Sequence, residues 1–344
     1  MDILRFYAHR LYSSFRGEFL VLPSKMILLV LVISFLCLPL ITQNPYYLRI
    51  FIFANIFCIY AASWDLLAGF AGQLSLGHGA FFGIGAYAAA LLNVSQGLPP
   101  WVSIPIGAVI AALAGLVLGL PALRLKGLYL ALVTLTFPII LEGLVYAFPG
   151  FTGGEMGLSS VEALSTSPLI NYYVSLLLMV CLGLAMWKFC DSNTGLLFHA
   201  LREDEVAARA SGINTTKYKL LAFCLSAFFA GISGGLYAHT LRIAGPSMFS
   251  LMTTFQPVIW TIFGGIGTIY GPIIGVYMLY PLMQIPAIIE FKTIIFALLI
   301  IVFLLFMPQG VATKMRDIIE KECPRCKVRN MATRKYCRVC EAAL

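Results

Sequence analysis

Charge is what this sequence has least of. Only 11% of its 344 residues are Asp, Glu, Lys or Arg, against roughly a quarter in an ordinary soluble domain. With 60% of the residues hydrophobic, that deficit argues against a large water-soluble core and for a polytopic membrane protein. The sequence also lacks any Gly-Lys dipeptide. It therefore has no Gly-x-x-x-x-Gly-Lys-Ser/Thr phosphate loop, and no ATP site of that kind on this chain. No Ala-x-Ala-like cleavage site follows the first apolar run, 26–42, so that run is expected to stay as a first transmembrane helix.

What is present is a succession of apolar runs. They fall at 26–42, 47–67, 79–94, 101–120, 128–148, 169–189, 220–239, 254–269, 272–288 and 293–307. Each approaches the length needed to cross a bilayer core of about 30 Å. The glycines Gly264, Gly265, Gly267 and Gly271 divide 254–288 into two spans. The expected fold class is all-α, a polytopic integral membrane protein with about ten transmembrane helices.

The net charge of +8 invites a nucleic-acid reading, but the placement of the cations removes it. With ten spans, the cations before span one, between four and five, between six and seven, and in the tail all fall on one side. Only Arg49, Arg242 and Lys292 fall on the other. This bias places both termini in the cytoplasm of a cell (plasma or inner) membrane, and nucleic acid is not an expected partner. Residues 1–25 mix cations with Phe6, Tyr7, Leu11, Tyr12 and Phe15 and read as an interfacial segment on membrane lipid. The loop 149–168 is then external.

Small residues recur every four positions at Gly107, Ala111, Gly115 and Gly119, and again at Ala227, Gly231 and Gly235. Such stripes let helix backbones approach closely. Packing within the chain is the preferred reading, with a subunit interface as the other.

The densest signal runs from Gly69 to Tyr87, where six glycines work against a continuous helix. Non-helical backbone at membrane depth is tolerated where it is buried in protein or lines a cavity. Gln73, Ser75 and His78 put polar groups beside Gly72 and Gly77. A tight turn between spans two and three is the other reading. Asp65 and Glu142 are carboxyls inside apolar runs, where a charge costs about 2.5–3.5 kcal/mol on insertion scales. Glu142 is read as pathway lining. Asp65, near a helix end, is read as a carboxyl hydrogen-bonded to neighbouring helices.

Between spans six and seven, an amphipathic helix is expected over 201–211, with acids Glu203, Asp204 and Glu205 at its start and Gly212 as its C-cap. In the tail, Cys323-Pro324-Arg325-Cys326 and Cys337-Arg338-Val339-Cys340 form two C-x-x-C knuckles. That spacing suits one structural zinc with four protein thiolates in a reducing compartment. The cations around it offset the negative charge of a four-thiolate centre.

The string Trp64-Asp65-Leu66-Leu67-Ala68-Gly69, followed by 72–82, resembles the signature of the LivM-type permeases, which serve ABC importers of branched-chain amino acids. Residues 134–137, Thr152-Gly153-Gly154, 263–272 and 307–310 resemble further parts of that family in order and spacing. Two positions depart. Ile139 stands where the family usually has an acid, with Glu142 three residues on. Asp65 stands where many members have Asn; sister permeases for urea and short amides can carry Asp. Ala207-Ala208 with Gly212 resembles the loop by which importer permeases dock on their ATPase, although Val206 occupies the Glu position and Glu205 lies one residue early.

The resemblance implies a permease subunit with no covalent chemistry of its own. Its implied partners are a second related permease, two cytoplasmic ABC ATPases and an external substrate-binding protein. Translocation-pathway candidates are Asp65, Gly72, Gln73, Ser75, Gly77, His78 and Glu142. Coupling candidates are Glu205, Ala207, Ala208 and Gly212, and metal candidates are Cys323, Cys326, Cys337 and Cys340. The expected organisation is an N-terminal segment 1–25, a permease domain 26–310 with coupling loop 191–219, and a tail 311–344 with a zinc ribbon over 323–340. Competing readings are a urea or short-amide permease, a stand-alone secondary transporter, and a membrane-anchored zinc-ribbon interaction protein.

Overall fold

The computed structural model describes residues 44–284 except 124 and 126, together with positions 35, 36, 38, 39, 301, 310, 311, 314, 320–324, 329–331, 337 and 340. The chain forms two units, 44–310 and a second built from 1–43 with 311–344. Of the ten expected spans, most of 26–42 and all of 293–307 but position 301 lie outside the described residues, as does the N-terminal segment 1–25.

The other eight spans each carry a helix. They are α1 (Pro45–Asp65), α2 (His78–Gln96), α3 (Pro100–Ala122), α4 (Gly127–Ala147), α5 (Pro168–Cys190), α8 (Thr215–Leu241), α9 (Leu251–Gly264) and α10 (Tyr270–Met283), with α6 (Asn193–Glu203) and α7 (Glu205–Ala210) between α5 and α8. Five are long and apolar enough to cross a membrane: α1 with its C-terminal extension to Phe70, α3, α4, α5 and α8. The chain is an all-α, multi-pass membrane protein. At 14 residues each, α9 and α10 reach only about 21 Å. They form a hairpin, because a Cβ on Gly264 would lie 1.9 Å from the Gly271 carbonyl oxygen and one on Gly275 2.1 Å from that of Trp260. The glycine break thus makes two helices, as expected.

Helix α1 is the hub. Of its apolar stretch 94% is buried, against 28% for α4 and 33% for α5, so α1 lies inside the bundle while the others present a flank outward. It packs on α5, α8, α9 and α10. The small-residue stripes face each other inside the chain. A Cβ on Gly231 would lie 2.6 Å from Ala111 Cβ, and one on Gly115 2.6 Å from Ala227 Cβ. They therefore seat α8 on α3.

Two helix-interior prolines prepare contacts between helices. Proline lacks the N–H that would bond the carbonyl four residues back. Pro257 leaves the Thr253 carbonyl free to accept from Tyr60 Oη at 3.2 Å. Pro138 does the same for Thr134, whose carbonyl backs onto Gly77.

At the far end of α2, Asn93 Oδ1 accepts from Glu162 N at 2.8 Å. His239 Nδ1 donates to the Glu162 carbonyl at 2.7 Å. Leu158 and Ala244 pair as an isolated bridge. These bonds pin the loop 149–168 to the ends of α2 and α8. In the second unit, β1 (Glu320–Glu322) pairs antiparallel with β2 (Arg329–Met331).

Candidate functional site

The glycine-rich stretch is a buried helix break. After Asp65 the chain makes a π-helical turn, Leu66–Phe70, then runs without regular structure until α2 begins at His78. π turns inside membrane helices frequently mark functional positions. Gly72 adopts φ +67°, and a Cβ there would stand 2.9 Å from Arg202 Cα. Gly77 has ordinary φ but no room: a Cβ would stand 2.5 Å from the Thr134 carbonyl oxygen. Leu76 N donates to Thr134 Oγ1 at 2.9 Å, so α4 holds the break through one threonine.

The polar candidates of this stretch are mostly occupied in holding it. Ser75 Oγ accepts from Gly77 N at 3.2 Å, and the Ser75 carbonyl accepts from Trp64 Nε1 at 2.8 Å. Gln73 is buried and donates to the Ala71 carbonyl at 3.2 Å. His78 Nε2 lies 2.8 Å from Ser63 Oγ, with the ring stacked on Tyr60 at 5.2 Å between centroids. His78 Nδ1 and Asp65 Oδ2 are buried without a hydrogen-bond partner among the described residues.

Asp65 is fully buried, and its Oδ1 accepts from Gly267 N at 2.8 Å. One carboxylate therefore joins the first glycine break to the second, which lies between α9 and α10. Glu142 is not brought to this place. It is half-buried on α4, eight residues or about 12 Å of helix beyond Thr134, with no ion pair among the described residues.

The loop 191–219 differs from the single helix expected over 201–211. It holds two helices, α6 and α7, broken at Asp204, whose backbone is extended (φ −154°, ψ 107°). Asp204 Oδ1 accepts from Val206 N at 2.8 Å and Ala207 N at 3.1 Å. An aspartate in that role is an N-cap and starts a helix. Gly212 does close α7. With φ +83°, it donates to the Arg209 carbonyl, while Ile213 N donates to that of Ala208, the double bond of a Schellman ending.

Glu205 turns inward, with Oε2 2.9 Å from Lys219 Nζ and Oε1 3.2 Å from Arg209. Lys219 is only 2% exposed. Ala208 is 5% exposed and packs inside the chain, whereas Ala207 and Gly212 are open and Val206 is 68% exposed. The outward surface of α7 is thus Val206, Ala207, Arg209 and Ala210.

Arg202, in the last turn of α6, reaches back to the break and donates from Nη1 to the Gly69 carbonyl. His199, one turn earlier, meets the Phe70 ring edge-on at 5.2 Å. Burial, with Arg202 beside it, holds its imidazole below the ordinary value. A cavity of about 280 Å³ opens here, lined by Gly72, Gln73, Arg202, Glu205 and Lys219 among others. Thr134, Gly267, Arg202 and Lys219 were not among the sequence candidates. No local pattern reveals such long-range contacts; Pro138, four residues after Thr134, and the family-like strings 134–137 and 263–272 were the available signs.

In the tail, the sulfur atoms of Cys323, Cys337 and Cys340 all lie within 4.8 Å of one another, with Cys323 and Cys337 buried. Cys323 and Cys340 are 3.5 Å apart. A tetrahedral zinc with bonds of about 2.3 Å separates its sulfurs by about 3.8 Å, so the three thiols fit one. Cys326 lies outside the described residues.

Comparison with known proteins agrees with the geometry. Residues 46–307 match the family described as branched-chain amino acid transport system / permease component. The chain is 30% identical over 309 residues to the high-affinity branched-chain amino acid transport system permease protein LivM of Escherichia coli K12, covering 81% of this chain and 71% of that protein. The LivM protein of Salmonella typhimurium LT2 is 30% identical over 302 residues, 79% and 71% of the two chains. LivH of the same Salmonella strain is 25% identical over 282 residues, 74% and 90%. No solved structure matches significantly.

Proposed function

The chain belongs to the branched-chain amino-acid permease family and is a membrane-spanning permease subunit of an ABC importer; we propose that its cargo is a branched-chain or related amino acid, carried into the cytoplasm. It would line the pathway together with a second, related permease, the role suggested by its likeness to both LivM and LivH. Two cytoplasmic ATPases would supply the energy, and an external binding protein would deliver the cargo. Both termini and α6–α7 would face the cytoplasm of the cell membrane, as the cation bias argues.

The observation that carries this reading is the bond from Arg202 on α6 to Gly69 in the buried break. It gives a loop of the coupling type direct purchase on the membrane interior. Alternating access would then be a rigid push on α6–α7 passed to the break, with Gly72, Gln73, Ser75, Gly77 and His78 shaping that part of the pathway and Glu142 a separate polar position on α4.

The tail would hold one structural zinc through Cys323, Cys326, Cys337 and Cys340. When bound, the metal would cross-link the ribbon, and the thiolates would have only a structural part.

The test is uptake into vesicles holding the chain with its partner permease and ATPases, supplied with the binding protein. Labelled leucine should enter only with ATP inside, and excess valine or isoleucine should compete while urea and acetamide do not. Competition by the amides alone would replace the amino-acid reading. Uptake without ATPase would replace the importer mechanism with secondary transport.

A further inference from the structure

We infer that Arg202 is a positioning residue that ties the α6–α7 helix pair to both glycine breaks at once, so that neither break moves without it. The inference rests on the importer reading for its purpose, but its geometry stands apart from it.

Three glycines from two breaks meet this one side chain. Arg202 Nη1 donates to the carbonyl of Gly69. A Cβ on Gly267 would lie 2.8 Å from the same Nη1, and a Cβ on Gly72 would lie 2.9 Å from Arg202 Cα. The head of the residue therefore sits against both breaks and its backbone against the first. Only residues without side chains leave that much room.

The electrostatics favour the arrangement. Gly69 lies at the C-terminal end of α1 and its π turn. Carbonyls there lack donors within the helix and form the negative pole of its dipole. A guanidinium supplies both the missing hydrogen bond and the compensating charge, and its planar fork loses less freedom on binding than an ammonium on a flexible stem.

The two breaks are also fastened to each other at this point. Asp65 Oδ1 accepts from Gly267 N at 2.8 Å. A Cβ on Gly69 would lie 2.0 Å from that oxygen and 2.7 Å from Gly267 N. Arg202, Gly69, Asp65 and Gly267 form one contiguous packed chain from α6 to the α9–α10 hairpin. At its base, Lys219 holds Glu205 on α7 at 2.9 Å, which anchors the helix pair to the start of α8. A displacement of α6 is thereby delivered to both breaks, and the far-end pairing of Leu158 with Ala244 lies outside the path.

The experiment compares wild type with Arg202→Gln and Arg202→Lys in two settings. In the purified permease, amide hydrogen exchange is read by segment. Arg202→Gln should speed exchange in both 66–73 and 265–269 by about tenfold or more, the factor set by losing roughly 1.4 kcal/mol of local protection. Exchange at Leu158 and Ala244 should stay as in wild type. In the assembled importer, Arg202→Gln should keep ATPase recovery and ATP turnover while uptake per ATP falls about tenfold, a loss of roughly 1.4 kcal/mol of coupling. Arg202→Lys should restore part of it.

Unchanged exchange at either break overturns the inference, as does unchanged uptake per ATP. Loss of ATPase recovery in Arg202→Gln also overturns it, since the residue would then serve docking. If the wild-type assembly shows no ATP-driven uptake, the importer reading fails instead, and the exchange result alone decides whether Arg202 ties the breaks.

Discussion

Asp65 holds the backbone N–H of Gly267, 202 residues further along the chain, through a 2.8 Å hydrogen bond from inside the bundle. Removing the acceptor strands a part-buried donor, which costs up to about 1–3 kcal/mol. Asp65→Ala should therefore lower the thermal midpoint of the detergent-solubilised protein clearly, while Asp65→Asn, which keeps an oxygen for Gly267, should lie close to wild type. Equal destabilisation by both variants would mean that the carboxylate charge, and not the hydrogen bond, matters.

Gly77 tests the break by size alone. Its backbone angle, φ −100°, suits any residue, so only the 2.5 Å approach to the Thr134 carbonyl opposes a side chain. Gly77→Ala should overpack the break by about 1–3 kcal/mol and suppress uptake while membrane insertion persists. Gly143→Ala, where nothing stands within 4 Å of a Cβ, should leave uptake intact. Normal transport by Gly77→Ala would reduce the break to a plain turn.

The Glu205–Lys219 pair is asymmetric, because Lys219 is the more deeply buried partner. Glu205→Gln leaves a buried ammonium without its carboxylate, a loss of about 3–5 kcal/mol when a buried pair is broken from one side. Lys219→Met leaves Glu205 still bonded to Arg209 and should cost less. The double variant should recover part of the Glu205→Gln loss in a denaturation double-mutant cycle; strict additivity would show the pair to be uncoupled.

Metal analysis of the full chain purified under reducing conditions should give about one zinc per chain, and Cys337→Ser or a strong chelator should lower it. Retention of the full zinc content by Cys337→Ser would place the metal elsewhere.

The spans were legible because apolar runs and glycine breaks are local signals, and all eight that fall within the described residues carry helices where expected. The stripes at Gly115 and Gly231 pack within the chain, the preferred reading, but their spacing did not record which stripe each would face. What joins the site was not legible. The pairings of Asp65 with Gly267, Arg202 with Gly69 and Leu76 with Thr134 cross more than fifty residues each, and no periodicity records them. Arg202 looked like one more cation on the cytoplasmic side. The acids at 203–205 suggested the first turn of one helix, but Asp204 is itself the cap, so the helix starts at Glu205 and turns Ala208 inward.

Coupling to an ATPase through the exposed surface of α7 is tested most directly by replacing Ala207, which faces outward, with arginine. A long charged side chain at a close-packed contact costs about 1–3 kcal/mol, roughly a five- to more than hundredfold loss of association. Recovery of the ATPase with the purified permease should fall by that factor in Ala207→Arg, and ATP-driven uptake should fail while the permease itself stays folded. Undiminished ATPase recovery together with full uptake would contradict the role of α6 and α7 as the coupling element.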